Sequence, residues 1–475
     1  MTRSRSVSWS WSSLRELGRY DALLLTALIW FLAKFLRYAF PPLFGPFQET
    51  YGVSNTVLGA AFTGFMLVYA AMQFPSGVLA DRLGSVTVIT AGVVLASSAA
   101  LVLVVDSPFV VLVLAMLVMG AGTGAHKTVA VRLLARAYPA RTGRALGFLD
   151  TFGAFGGVAA PAAVVFVAGV TLFVGTGWRL LFFVAGVVGL LLGIAFLTRV
   201  PKRLPGEAVG GPVSRPAPDQ ASTSPRDGGD TDTNGGSSPD EANDDPDSST
   251  VHPDSNTADP DSSTAGTSPS PGLRQYATLF RDHRFTVFVL ATICFSFTYN
   301  GLVAFAPLYL TDEAGLEPST ANVLYSALFA VSLVQLVTGE VSDRVGTLPV
   351  IVVALGLASV AMIAFVALTG LGSALVLGAT LVAVGLGSHG FRPVRGAYLM
   401  AAVPDSIAGG SLGVVRTLLM GAGAVAPAIV GFLSEAASFR VAFWLLAATV
   451  CVATVLCAYL LATDATAFRA SRVAT

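Results

Sequence analysis

Residues 77–84 read Gly77-Val78-Leu79-Ala80-Asp81-Arg82-Leu83-Gly84, an acid and a base side by side between two long apolar runs. A lone charge in such a place is costly in a bilayer. The spelling returns as Gly339-Glu340-Val341-Ser342-Asp343-Arg344-Val345-Gly346, so the pattern Gly-x-x-x-Asp-Arg-x-Gly occurs twice, each time just ahead of another apolar run. One copy reads as a short polar turn between helices, whereas two copies at matching places point to a duplicated architecture.

Outward from the motif, the chain has 475 residues, of which 54% are hydrophobic and 12% charged, with a mean hydropathy of +0.72. That composition belongs to membrane proteins. A spanning helix needs ~20 mostly apolar residues, and the apolar segments suffice for twelve, starting with a retained first helix at Tyr20. The pattern breaks over 199–283, where Pro, Gly, Ser, Thr and Asp dominate from Pro205 to Pro271. Such a segment cannot bury enough apolar surface to offset its ordering entropy, so disorder is expected there. The predicted layout is a tail over 1–19, a six-helix half over 20–198, an acidic linker over 199–283, a second six-helix half over 284–463 and a tail over 464–475.

The doubled motif resembles the signature of the major facilitator superfamily of secondary transporters, which joins the second and third helices of one half and the eighth and ninth of the other. The resemblance covers nearly the whole chain outside the tails and linker. It implies an all-α membrane protein of twelve helices in two pseudo-symmetric six-helix bundles, and transport rather than enzymatic catalysis. In the family the Gly lets helices approach, the Asp caps and pairs across helices, and the Arg completes a charge latch. The resemblance carries these roles onto Gly77, Asp81, Arg82 and Gly84 and onto Gly339, Asp343, Arg344 and Gly346, with Glu340 as a gating candidate. Ser85 and Thr347 stand where the family continues with basic residues, which implies a weaker latch.

Other matches relate the halves. Gly120-Ala121-Gly122 answers Gly385-Leu386-Gly387, Pro139 answers Pro404, Gly157 and Pro161 answer Gly423 and Pro427, and Arg179 answers Arg440. An internal duplication places the substrate between the halves near the bilayer midplane. The distribution of Arg and Lys in the loops sets the expected orientation. Arg132, Arg136, Arg141 and Arg144, the linker ends and both tails carry the positive charge, so the termini and linker are predicted to be cytoplasmic in the plasma membrane. Arg179 and Arg440 fall on the other side, at helix starts from which they can snorkel.

Six basic residues remain inside predicted spans, namely Lys34, Arg37, Lys127, Arg392, Arg395 and Arg416, against one clear acid, Asp150. Each such charge costs roughly 2.5–3.5 kcal/mol at the helix centre if it faces lipid. Most are therefore expected to face a wet cavity, a partner or a bound anion. Lys34 and Arg37 share a face of the first helix, as do Arg392 and Arg395 on the tenth. Lys127 and Asp150 lie about equally far from Pro139 and can meet as an ion pair. The corresponding positions around Pro404 hold Arg392 and Arg416, two like charges that repel unless an anion joins them.

Alternatives stay open for several of these residues. Arg37 either lines the cavity or snorkels past Pro41-Pro42, and Arg416 serves as ligand or gate. His126 is a coupling candidate beside Asp150, because imidazole titrates near neutrality, or else a satisfied packing residue. Tyr299-Asn300-Gly301 offers substrate-orienting groups at a helix break.

The remaining features exclude other classes. Cys294, Cys451 and Cys457 lie in apolar runs without Cys-x-x-Cys spacing, so neither a disulfide framework nor a metal site is expected. No phosphate-binding loop is spelled, and no cofactor is implied. The acidic linker argues against nucleic acid. The expectation is a monomeric secondary transporter of a small organic or inorganic anion in the lipid bilayer, with H+ a candidate coupling ion. The alternatives are a proton-coupled exporter of hydrophobic compounds and a transporter-like sensor.

Overall fold

A computed structural model describes residues 20–170, 177–202, 204, 280–371, 373–402 and 418–473. Twelve helices are long and apolar enough to span a membrane: α1 (Asp21–Tyr51), α2 (Asn55–Leu83), α3 (Ser85–Val102), α4 (Phe109–Ala137), α5 (Pro139–Val167), α6 (Gly177–Arg199), α7 (His283–Asp312), α8 (Pro318–Val345), α9 (Thr347–Ala367), α10 (Ala374–Ala401), α11 (Leu418–Ala436) and α12 (Phe439–Asp464). Among the described residues there is no strand, as expected where lipid leaves backbone groups only internal partners.

Local chemistry sets the helix ends. Ser54 caps α2 by accepting from the Val57 amide at 3.4 Å, and Asp282 caps α7 by accepting from the Arg284 amide at 2.8 Å. Pro318 occupies the first turn of α8, where its missing N–H costs nothing. The last glycines of the doubled motif turn the chain between spans: Gly84 has φ 84° and Gly346 φ 92°, a region that side chains rarely enter.

The duplication expected from sequence recurs as duplicated backbone contacts. A Cβ on Gly120 would meet the Phe65 carbonyl oxygen at 2.6 Å, and one on Gly385 would meet that of Leu328 at 2.8 Å. Two residues on, a Cβ on Gly122 would meet the Gly92 oxygen at 2.4 Å, and one on Gly387 that of Ala354 at 2.5 Å. Thus α4 packs on α2 and α3 as α10 packs on α8 and α9.

The family role of the first motif glycine is not realised in this conformation. A Cβ on Gly77 would sit 3.9 Å from Thr128, an ordinary contact, and one on Gly339 meets nothing within 4 Å. Close approach falls to other glycines, along the α2–α11 crossing between the halves. There a Cβ on Gly59 would lie 2.4 Å from the Pro427 oxygen, and one on Gly431 2.4 Å from that of Asn55. The Ala428 amide donates to Thr63 Oγ1 at 3.0 Å, and the Thr56 amide to Glu435 at 3.2 Å. Phe44 meets Phe305 edge-on at 5.3 Å. These contacts lie at the end of the bundle away from the termini. At the terminus-bearing end, the ion pairs Arg132–Asp81, Arg199–Asp21, Arg284–Asp464 and Arg344–Glu340 each stay within one half.

Candidate substrate cavity

Between the halves lies a cavity of about 570 Å³, within the usual size of small-molecule sites. It takes Lys34 and Arg37 from α1, Lys127 from α4, Asn300 and Tyr299 from α7, and Arg392 and Arg395 from α10. Arg416 lies outside the described residues. Asp150 is the one carboxylate lining the cavity among the described residues.

Aromatic faces seat these cations, and Lys127 meets a carboxylate as well. Lys34 Nζ lies 4.9 Å from the centre of the Trp30 ring and 5.3 Å from that of Tyr38. Lys127 Nζ approaches the same Trp30 ring at 5.1 Å. Arg37 is 5.4 Å from both Tyr38 and Tyr69, Arg392 is 4.1 Å from Tyr299, and Arg395 is 5.8 Å from Phe391. Such seats contribute about 0.5–2 kcal/mol each and keep the charge while leaving N–H groups to donate. Trp30 needs Gly153 opposite it, because a Cβ there would be 2.3 Å from Trp30 Nε1.

Of the cavity cations, Lys127 pairs with Asp150, the former 13% and the latter 60% exposed. Among the described residues no carboxylate lies within ion-pair distance of Lys34, Arg37 or Arg392. Arg37 is buried and donates from Nη2 to Asn300 Oδ1 at 3.0 Å. Snorkelling past the prolines is thereby corrected: the side chain turns inward and ties α1 to α7. Asn300 in turn donates to the Ser296 carbonyl at 2.8 Å, which orients its amide.

The helix break expected at Tyr299-Asn300-Gly301 is absent, since α7 is helical from His283 to Asp312. Gly301 serves packing instead, for a Cβ on it would meet Leu446 at 2.7 Å.

Other candidates lie off the cavity. His126 stacks on Trp30 at 5.8 Å, and its Nε2 is 3.1 Å from the Thr26 carbonyl. A carbonyl only accepts, so this nitrogen carries the proton. Glu340 pairs with Arg344 one turn along at the exposed end of α8. In the first motif copy Asp81 pairs with Arg132 of α4. Neither Arg82 nor Asp343 has an ion-pair partner among the described residues, so the two copies of the latch differ. Arg179 and Arg440 do not merely snorkel: Arg179 pairs with Asp106, and Arg440 lies 3.8 Å from Glu313. Among the described residues no cluster of His, Cys, Asp and Glu could hold a metal ion.

Sequence reasoning missed the aromatic seats; His389, which the sequence reads like His126 as a packing or proton-carrying histidine in a Gly-rich helix, lines the cavity between Tyr299 and Phe329 at 6.0 and 6.4 Å. The signal was present for one seat: Trp30, Lys34 and Tyr38 are spaced by four and share a helix face.

The sequence profile of the Major Facilitator Superfamily matches residues 26–391 and 288–472. A protein of Cupriavidus necator (strain ATCC 17699), the probable sulfoacetate transporter SauU, is 28% identical over 173 residues, 36% of this chain and 39% of that one. The chain thus matches about two-fifths of that relative's length. Among solved structures, a bacterial homolog of the human lysosomal transporter Spinster, inward-facing and unoccupied, aligns with TM-score 0.66 at 18% identity over 94% of this chain and 97% of its own. The nucleoside transporter NupG aligns with TM-score 0.66 at 14% identity over 92% of this chain and 99% of its own. At these identities the likeness is one of fold.

Proposed function

The chain belongs to the Major Facilitator Superfamily and is a multi-pass membrane transporter rather than an enzyme, and from that premise we propose that it carries a small anion through the cavity between its halves. The observation that supports this reading is the set of three cations, Lys34, Arg37 and Arg392, that line the cavity without a carboxylate partner among the described residues. A buried charge without a counter-charge is costly, and an anion entering between α1 and α10 supplies the missing sign to both halves. The name of the Cupriavidus relative, a probable sulfoacetate transporter, agrees with an anionic passenger.

The placement of contacts supports alternating access. The α2–α11 seam closes the end away from the termini, while the ion pairs Arg132–Asp81, Arg199–Asp21, Arg284–Asp464 and Arg344–Glu340 at the other end each stay within one half. An anion that draws Arg392 of one half toward Lys34 of the other favours closure on the open side. With termini and linker in the cytoplasm of the plasma membrane, this is the inward-open state, and the driving gradient is an ion such as H+.

Purified protein unfolded thermally against sulfoacetate, succinate, acetate, phosphate and uncharged compounds tests the reading, since a ligand that binds only the folded state raises its stability. Anions should stabilise the protein, and R392Q should weaken them at least about tenfold, because a hydrogen bond to a charged group contributes ~1.5–3 kcal/mol and 1.4 kcal/mol is tenfold. Stabilisation by uncharged compounds alone, unaffected by R392Q, would refute it.

A further inference from the structure

Resting on the anionic reading of this cavity, we infer that the passenger is a dianion, and that its second acidic group takes the place of Asp150 on Lys127. Among the described residues, the cavity lining sets Lys34, Arg37 and Arg392, none with a carboxylate partner, beside the Lys127–Asp150 pair. A monoanion would leave most of that excess uncompensated.

Asp150 behaves as a tethered stand-in for part of a ligand. Its carboxylate is 60% exposed at the cavity while the Lys127 ammonium that it contacts is 13% exposed. The acid can therefore leave for water at little cost, whereas the base is fixed over Trp30. Taking the carboxylate away removes the counter-charge of a mostly buried ammonium, so an arriving acid is what displaces Asp150. Lys34 and Lys127 stand on one ring, at 4.9 and 5.1 Å from its centre. Their ammonium groups are thus no more than about 10 Å apart, and charge-assisted bonds of ~2.8 Å at each end leave up to about 4–5 Å between the two acidic groups. A spacer of at most two or three atoms fits, as in a short dicarboxylate or its sulfonate counterpart. With one acid between Lys34 and Arg392 and the other on Lys127, the ligand joins α1, α4 and α10. Asp150 is then released to solvent.

The test is calorimetric titration of the full-length protein in nanodiscs with succinate and with butyrate, which has the same carbon count and one acid fewer. Wild type should bind succinate at least about tenfold more tightly than butyrate. D150N should raise succinate affinity severalfold by removing the competitor, and K127Q should bring succinate to the level of butyrate. The double variant K127Q/D150N, which keeps a neutral polar pair and leaves no stranded charge, should show no preference for the diacid. Equal binding of both acids by wild type, a loss of succinate affinity in D150N, or a diacid preference surviving in the double variant would overturn the inference while leaving an anion carrier in place. Binding of neither acid, nor of sulfoacetate or phosphate, would overturn the anionic reading itself and this inference with it.

Discussion

Replacing Gly59 by Ala should prevent closure at the end of the bundle away from the termini without unfolding the protein. The new Cβ would lie 2.4 Å from the Pro427 carbonyl oxygen and 3.0 Å from its carbon, about 1 Å inside an ordinary C···O contact of ~3.3–3.6 Å. Both atoms are backbone, so no rotamer relieves the clash, and α2 and α11 must separate. Overpacking of this kind costs ~1–3 kcal/mol, which at 1.4 kcal/mol per decade lowers the closed population about 5- to 150-fold. Under the alternating access proposed above, the cost vanishes in the state where this seam opens. Gly356→Ala is the control, since its Cβ meets nothing within 4 Å. Spin labels at Val53 and Ala436, in a background lacking the three native cysteines, report the separation by pulsed electron resonance. Gly59→Ala should shift the distribution to longer distances and the control should not. A wild-type distribution in Gly59→Ala, or an equal loss of thermal stability in every trapped state, would refute the argument that this glycine acts through a seam made and broken in transport.

Three further outcomes are expected. Glu435→Gln removes the negative charge from the α2 N-terminus, where Glu435 accepts from the Thr56 amide at 3.2 Å; helix-end charge contributes ~0.3–1 kcal/mol, so the same labels should show a two- to fivefold shift toward the open seam. Gly84→Ala places a side chain at φ 84°, a conformation costing ~1–3 kcal/mol, and should lower the thermal midpoint, whereas Gly77→Ala, with its nearest contact at 3.9 Å, should not. His126→Gln can still donate toward the Thr26 carbonyl and lies outside the cavity lining; the pH profile of uptake into proteoliposomes should match wild type, and a displaced profile would restore His126 as a coupling group.

Twelve spans, their pairing into two halves and the cationic character of the interior were legible in the chain. They rest on properties local in sequence: runs of ~20 apolar residues, a motif written twice, and charges counted within each run. Even the meeting of Lys127 and Asp150 was readable, because helices joined by a short turn are antiparallel neighbours. The same reasoning went astray at Tyr299-Asn300-Gly301, since whether a glycine bends a helix or admits a neighbour depends on what lies across from it, here Leu446. It left Arg37 undecided for the same reason, because Asn300 is 263 positions away.

Tertiary structure decided which end is sealed, which cations lack carboxylates, and that aromatic rings hold them. Glycines with no shared motif, Gly59 and Gly431, form the seam between the halves, and no period or spacing marks them, because close approach is a property of two surfaces together. A one-dimensional pattern records what each segment must bury. Only packing determines against what it is buried, and the free energy of an embedded charge depends on that second fact.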